Sequence, residues 1–136
     1  MKKNISLLIF ITFCSVTVSA ETWAQFIDRA NRMTTNFDRG IARGHWSTWS
    51  NDKWGALMAT TFWLEWAYEE IVMRAPISQA EREIYTRLWQ RRITATNEME
   101  RLLRLVNHSR NDRLEINRRW EHWGRHLDSG GTIRMD

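Results

Sequence analysis

The chain has 136 residues, of which 43% are hydrophobic, and it carries nine tryptophans but only one cysteine and one proline. Twenty lysines and arginines stand against 16 carboxylates, and Lys2 and Lys3 supply two of those cations, so the rest of the chain is close to charge balance. This length suits one domain, the single cysteine excludes a disulfide framework, and the near balance of charge speaks against nucleic acid as a partner.

Residues 1–20 have the pattern of a secretory signal peptide. Two lysines precede an apolar run from Ile5 to Phe13, and the only cysteine, Cys14, directly follows that run. The segment ends in Val18, Ser19 and Ala20, which offer small residues to a signal peptidase. The run is shorter than the roughly 20 residues that a membrane-spanning helix needs. We therefore expect cleavage after Ala20 and a mature chain that is periplasmic or secreted.

The first helix is predicted over about Trp23 to Asp38. Thr22 and Gln25 form a capping-box pattern at its start. Asp28, Arg29 and Arg32 are expected on its polar face. The opposite face is an apolar stripe at helical spacing, made of Trp23, Phe26, Ile27, Ala30, Met33 and Phe37.

A loop is predicted over residues 39–51, where two glycines interrupt the helical pattern. Loops this long between packed helices tend to be functional or mobile. The alternative is that its two tryptophans fold back as a lid over the core, and the two roles are compatible. The residues expected to contact a partner are Arg39, Arg43, His45, Trp46 and Trp49.

The central helix is predicted from about Asp52 to Arg74, and its pattern is apolar almost all the way round. A helix of this kind belongs in the middle of a domain, because every face must be covered. We expect water to reach it only along a narrow strip near Ala67, Glu70 and Arg74.

Two further helices complete the predicted fold. Pro76 ends the central helix, and the Ser78–Glu81 capping box opens a third helix that runs to about Val106, antiparallel to the second. A fourth helix starts after Ser109 or Asn111. The prediction is an all-α, four-helix bundle-like single domain over residues 21–128, followed by a flexible C-terminal tail over residues 129–136.

A buried ion pair is predicted between Glu65 and Arg92. Both interrupt apolar stripes at similar distances from the Pro76 turn, and Arg91 or Glu69 are near substitutes. Such a pair would fix the register of the two helices. The alternative is that Glu65 is a perturbed carboxylate that acts as an acid or base.

Metal and cofactor sites are weakly indicated. His122 and His126 stand at i and i+4, which can place two imidazoles on one metal, but no zinc-protease or di-iron motif accompanies them. Met33 could in principle join a histidine on haem, but methionine at helical spacing is more often a core residue. We therefore expect neither a metal nor a cofactor.

Tryptophan and arginine are the residues that protein interfaces use most heavily. Trp63, Trp66 and Trp89 are expected to be exposed and to extend the surface formed by Trp46 and Trp49. We therefore expect an exported protein-binding module, such as an inhibitor or immunity-type partner of another exported or envelope protein, rather than an enzyme. Two alternatives remain: an envelope-surface binder that meets lipid or glycan, and a small cell-wall-acting enzyme that uses Glu65. A homodimer and a membrane-surface contact also stay open.

Overall fold

The computed structural model describes residues 21–135, so the predicted signal peptide and Asp136 lie outside it. Within this range the chain forms four α-helices and a short 3-10 turn, with no strand, which confirms the predicted all-α fold. None of the helices in residues 21–135 is long and apolar enough to cross a membrane. The elements are α1 (Trp23–Arg43), the 3-10 turn (Trp46–Thr48), α2 (Asn51–Arg74), α3 (Gln79–Leu105) and α4 (Arg110–Asp128).

Local capping signals set where the helices begin. At each start, a side-chain hydroxyl accepts a hydrogen bond of 3.0–3.1 Å from the backbone N–H three residues later. This contact satisfies one of the amides that the first helical turn leaves free. The four capping residues are Thr22, Ser50, Ser78 and Ser109, so Ser109 rather than Asn111 opens α4.

The first helix is longer than predicted, and the loop after it is correspondingly shorter. α1 continues through Gly40 to Arg43, so the connection to α2 comprises only residues 44–50. Gly40 does not break the helix. A Cβ built on Gly40 would lie 2.5 Å from the Cβ of Met135, so this glycine lets the C-terminal segment approach the helix backbone.

The residues after α4 pack against the domain, so the prediction of a loose tail is wrong. Ile133 is 4% exposed and Met135 is 1% exposed. Arg29 donates a hydrogen bond to the carbonyl oxygen of Gly131 at 2.9 Å, which holds the start of this segment against α1. Two apolar side chains at alternate positions of an extended segment can both reach the same core.

Two side-chain contacts give the direction of α1 relative to α3. Asn31 donates to Tyr85 and Arg92 donates to Asp38. Both pairs are 54 residues apart in sequence, so moving seven residues along α1 corresponds to moving seven residues along α3. These two helices therefore run in the same direction, side by side.

α2 lies at the centre, as predicted, and packs against the three other helices. Its closest approach is to α4, because a Cβ on Gly55 would lie 2.5 Å from the Cβ of Arg119 and 2.8 Å from the backbone N of Trp120. Glycine at this position removes the side chain that would hold the two backbones apart.

The water-facing strip of α2 differs from the predicted one. Ala67 and Glu70 are 0% and 7% exposed, and only Arg74 of the predicted strip is exposed. The partly open side is instead a line at helical spacing in the C-terminal half of the helix, because α4 crosses α2 near Gly55 and covers the N-terminal half. We call this line the α2 strip: Phe62, Glu65, Trp66, Glu69 and Met73.

Arg29 is buried, although the sequence predicts it on the polar face of α1. Its guanidinium donates to both carboxylate oxygens of Glu21 at 2.8 Å and to the carbonyl of Leu127 at 3.2 Å. It also lies 4.6 Å from the ring centre of Trp63. These contacts explain why Trp63 is only 4% exposed, which corrects the expectation that its indole faces solvent.

Candidate binding site at one end of the bundle

One end of the domain collects the residues that the sequence singled out for binding. α1 and α3 end there, and the 3-10 turn, α2 and α4 begin there. The turn is held by its own hydrogen bonds, because the backbone N–H and hydroxyl of Thr48 both donate to the carbonyl of His45, at 2.9 and 2.8 Å. The short segment 44–50 therefore has a defined shape.

Three tryptophans pack together at this end. The rings of Trp46 and Trp49 are 4.9 Å apart, and they lie 6.0 and 5.4 Å from the ring of Trp54. Trp54 is fully buried, and its ring lies nearly perpendicular to the His108 ring with the ring centres 5.4 Å apart, whereas Trp46 and Trp49 are half-buried. Trp46 and Trp49 thus fold back over the core as a lid while keeping part of their surface in water.

Gly44 makes the position of Trp49 possible. A Cβ at Gly44 would lie 2.4 Å from the Trp49 ring, so any other residue would displace the indole. On the other side, the ammonium of Lys53 lies 4.8 Å from the ring centre of Trp49, within cation–π range. Trp49 is therefore held between the end of α1 and the first turn of α2.

A groove opens beside the lid, with a volume of about 630 Å³. We call it the Trp46 groove. One wall is residues 44–47, and the other is the last turn of α3 with Asn107. Leu105 contributes the most conspicuous apolar surface, because its side chain is 66% exposed. The lining residues are Gly44, His45, Trp46, Ser47, Leu102, Leu105, Val106 and Asn107.

Two arginines place free positive charge beside this groove, and a histidine lies between them. Arg43 and Arg104 are exposed in the last turns of α1 and α3, and His45 is exposed between them. Two carboxylates at this end, Asp112 and Asp52, are engaged within the fold. Asp112 accepts hydrogen bonds from Asn51 and from the backbone of Ser109, and the bond from Asn51 contributes most to lowering its pKa.

Asp52 is the second engaged carboxylate. Burial by itself raises the pKa of Asp52, but hydrogen bonds from the indole N–H of Trp123 and from Arg119 outweigh it, so the pKa lies below its ordinary value. The aspartate therefore stays ionised at neutral pH and ties the start of α2 to α4. The charge of Asp52 is therefore balanced by Arg119 within the fold.

The five predicted contact residues are placed differently from one another. His45 and Trp46 line the groove, and Trp49 supports it from behind. Arg39 and Arg43 are exposed one turn apart on α1 itself rather than in a loop. Leu105 was not predicted as a contact residue, because its only signal in the sequence is that it is a leucine outside the apolar stripe, at the last position of α3.

The predicted ion pair between Glu65 and Arg92 is not formed. Arg92 is 7% exposed, as expected for a buried arginine, but its guanidinium donates to both carboxylate oxygens of Asp38, at 3.1 and 3.2 Å. It also lies 5.8 Å from the ring centre of Phe37. Because α1 and α3 run in parallel, Asp38 lies next to Arg92. Glu65 lies instead on the α2 strip.

His122 and His126 flank one indole. Their rings meet the ring of Trp123 edge-on at 5.2 and 5.5 Å, and Nε2 of His126 is 3.0 Å from the carbonyl oxygen of Thr132. Within residues 21–135 there is no group of three or more histidine, cysteine or acidic side chains that could hold a metal ion.

Comparison of the chain with models of protein families, with curated proteins and with solved structures finds no match.

Proposed function

We propose that this protein is an exported helical module that binds another exported or envelope protein through the Trp46 groove. The observation that carries the proposal is a groove of mixed polar and apolar lining in which one of the lining residues, Leu105, is 66% exposed. An exposed apolar surface of this kind, rimmed by polar groups, is typical of a protein-binding site.

The contacts around the groove also favour a pre-formed site. The 3-10 turn is closed by hydrogen bonds, and the two lid tryptophans are fixed by ring contacts with Trp54. A rigid aromatic anchor loses little conformational entropy on binding, which improves affinity without additional contact area. Such a site suits an inhibitor or immunity-type partner, in which a small domain holds one target tightly.

The charge at this end indicates the complementary surface. Arg43 and Arg104 are exposed, so a partner surface with carboxylates around an apolar side chain would fit. Exposed arginines at the rim increase the association rate and make it fall with added salt.

Site-specific photo-crosslinking tests this proposal. A benzophenone amino acid placed at Leu105 should crosslink one specific envelope protein in intact cells. Leu114, which is 47% exposed on α4, provides the matched control position. Crosslinking from position 105 alone supports the groove. Equal crosslinking from both positions, or none from either, would contradict it.

Substitution provides the second arm of the test. Leu105→Asp should abolish co-purification of the crosslinked protein, whereas Leu114→Asp should not, and both variants should keep the wild-type circular dichroism because both side chains face water. The export step is tested separately. N-terminal sequencing of the protein from the periplasm or medium should begin at Glu21, and a chain that still begins at Met1 would contradict the cleavage.

A further inference from the structure

The α2 strip is a second surface, distinct from the Trp46 groove. It begins eight residues beyond Trp54 and continues for three turns of α2. Phe62, Trp66 and Met73 follow the spacing of one helical face, and the Met73 side chain is 65% exposed. A helix that is otherwise enclosed thus presents one apolar line to solvent.

Aromatic contacts join this line to the helices on either side. The ring of Trp66 lies 5.6 Å from that of Phe26 on α1, and the ring of Phe62 stacks on that of Trp120 of α4 at 5.3 Å. Trp66 and Phe62 remain half-buried. The aromatic side chains of the strip therefore pack against α1 on one side and against α4 on the other.

The charges on the strip have one sign. Glu65 and Glu69 stand one turn apart between the apolar side chains, and neither forms an ion pair with any residue from 21 to 135. Carboxylates in this position disfavour an anionic membrane surface. They also disfavour a second copy of the chain docked through the same face, because that arrangement would bring four carboxylates together.

We propose that the α2 strip docks a basic amphipathic helix of a partner protein. Residues 62–73 span roughly 16 Å at 1.5 Å per residue, which is long enough for an incoming helix to set three or four apolar side chains along the line. Lysines or arginines beside that apolar stripe would pair with Glu65 and Glu69. The incoming helix would continue the enclosure of α2 past the point where α4 stops covering it.

Titration with a synthetic peptide tests this proposal in the full mature chain. The probe is an amphipathic helical peptide of leucine and lysine, and its counterpart has glutamate in place of every lysine. Binding is followed by calorimetry and by the methyl resonances of the methionines. The lysine peptide should bind and shift the exposed Met73 methyl, while the resonance of Met99, which is 3% exposed, should stay in place. The glutamate peptide should not bind.

Two double variants with equal change in net charge localise the effect. Glu65→Lys with Glu69→Lys should weaken binding at least about tenfold, because the attraction at the site becomes repulsion. Glu83→Lys with Glu100→Lys, on exposed positions of α3, should change it less than about threefold, as expected for charges outside the site.

Three results would overturn the proposal. These are an absence of binding, an equal loss in the two double variants, and binding of the glutamate peptide. Binding of anionic lipid vesicles that Met73→Ala abolishes would instead make this face a lipid contact. None of these outcomes bears on crosslinking from position 105, so the proposals for the two surfaces are tested independently.

Discussion

Gly55 is a position where a single added methyl group should destabilise the fold, because α4 leaves no room for it. A Cβ at this position would lie 2.5 Å from the Cβ of Arg119, and 2.8 Å from both the backbone C of Arg119 and the N of Trp120. Ordinary carbon contacts are 3.4–4 Å, and two of the three atoms that are met belong to the backbone of α4. Rotation of a side chain cannot relieve the clash, so Gly55→Ala must push α2 and α4 apart by about 1 Å at their crossing.

Two opposing effects set the size of the change. Overpacking of a tight contact costs roughly 1–3 kcal/mol. Replacing glycine by alanine inside a helix returns about 1 kcal/mol, because the unfolded chain loses backbone freedom and alanine favours the helix. We therefore expect Gly55→Ala to lower the free energy of unfolding, by up to about 2 kcal/mol.

Gly124 provides the matched control. It lies in α4, and a Cβ built on it meets nothing within 4 Å. Gly124→Ala should therefore raise the free energy of unfolding by about 0.5–1 kcal/mol through helix propensity alone. Urea unfolding followed by circular dichroism and tryptophan fluorescence should show stability changes of opposite sign in the two alanine variants. Their free energies of unfolding should differ by about 2 kcal/mol. If Gly55→Ala is as stabilising as Gly124→Ala, α2 and α4 do not approach as described.

Three further changes test separate parts of the structure. Arg29→Met should lower the free energy of unfolding in urea by about 3 kcal/mol, because it leaves Glu21 and two carbonyl oxygens without their hydrogen-bond donor. A loss below about 1 kcal/mol would contradict the burial of the guanidinium. Gly40→Ala should lower the free energy of unfolding of the full chain but not of a chain that ends at residue 132, because the shortened chain lacks Met135. An equal loss of stability in both chains would show that the C-terminal segment does not pack on Gly40. Burial raises the pKa of Tyr68, so the stability this residue contributes is fully present below about pH 10 and is lost as the pH rises through the folded-state pKa. The stability difference between wild type and Tyr68→Phe should therefore shrink above about pH 10, and a difference that does not change with pH would contradict the burial of this hydroxyl.

Local signals explain what could be predicted from the sequence. Hydroxyl side chains followed three residues later by an acid or amide marked helix starts correctly at Thr22 and Ser78, because a cap depends only on neighbouring residues. The apolar pattern around Trp54 and Leu64 identified the enclosed helix, since both side chains are fully buried. Composition and periodicity therefore suffice for the fold class.

Contacts between distant parts of the chain explain what could not be predicted. Gly40 looks like a helix breaker in sequence, but its role depends on Met135, 95 positions further on. Arg29 fits a polar face by residue type, yet it is buried because it donates hydrogen bonds to the carbonyl oxygens of Leu127 and Gly131. Helical spacing carries no information about such long-range partners.

The Glu65–Arg92 prediction failed for the same reason. Counting from the Pro76 turn gives the register of α2 against α3 but ignores α1. Because α1 lies parallel to α3, it brings Asp38 within 3.1 Å of Arg92. The candidate site was predicted in part, since Trp46 and His45 lie on the segment that the sequence indicated. Leu105 lies on the opposite wall of the groove, and only the folded structure identifies it as a lining residue.

Native-state amide hydrogen exchange tests most directly whether α2 is the enclosed centre of this domain. Backbone amides from about Leu57 to Ile71 should exchange most slowly, at rates set by global unfolding, because opening them requires separation of the surrounding helices. Amides in the last turns of α4 should exchange faster. If the amides of α2 exchange as fast as those of α4, the helix is not enclosed, and the fold described here is wrong.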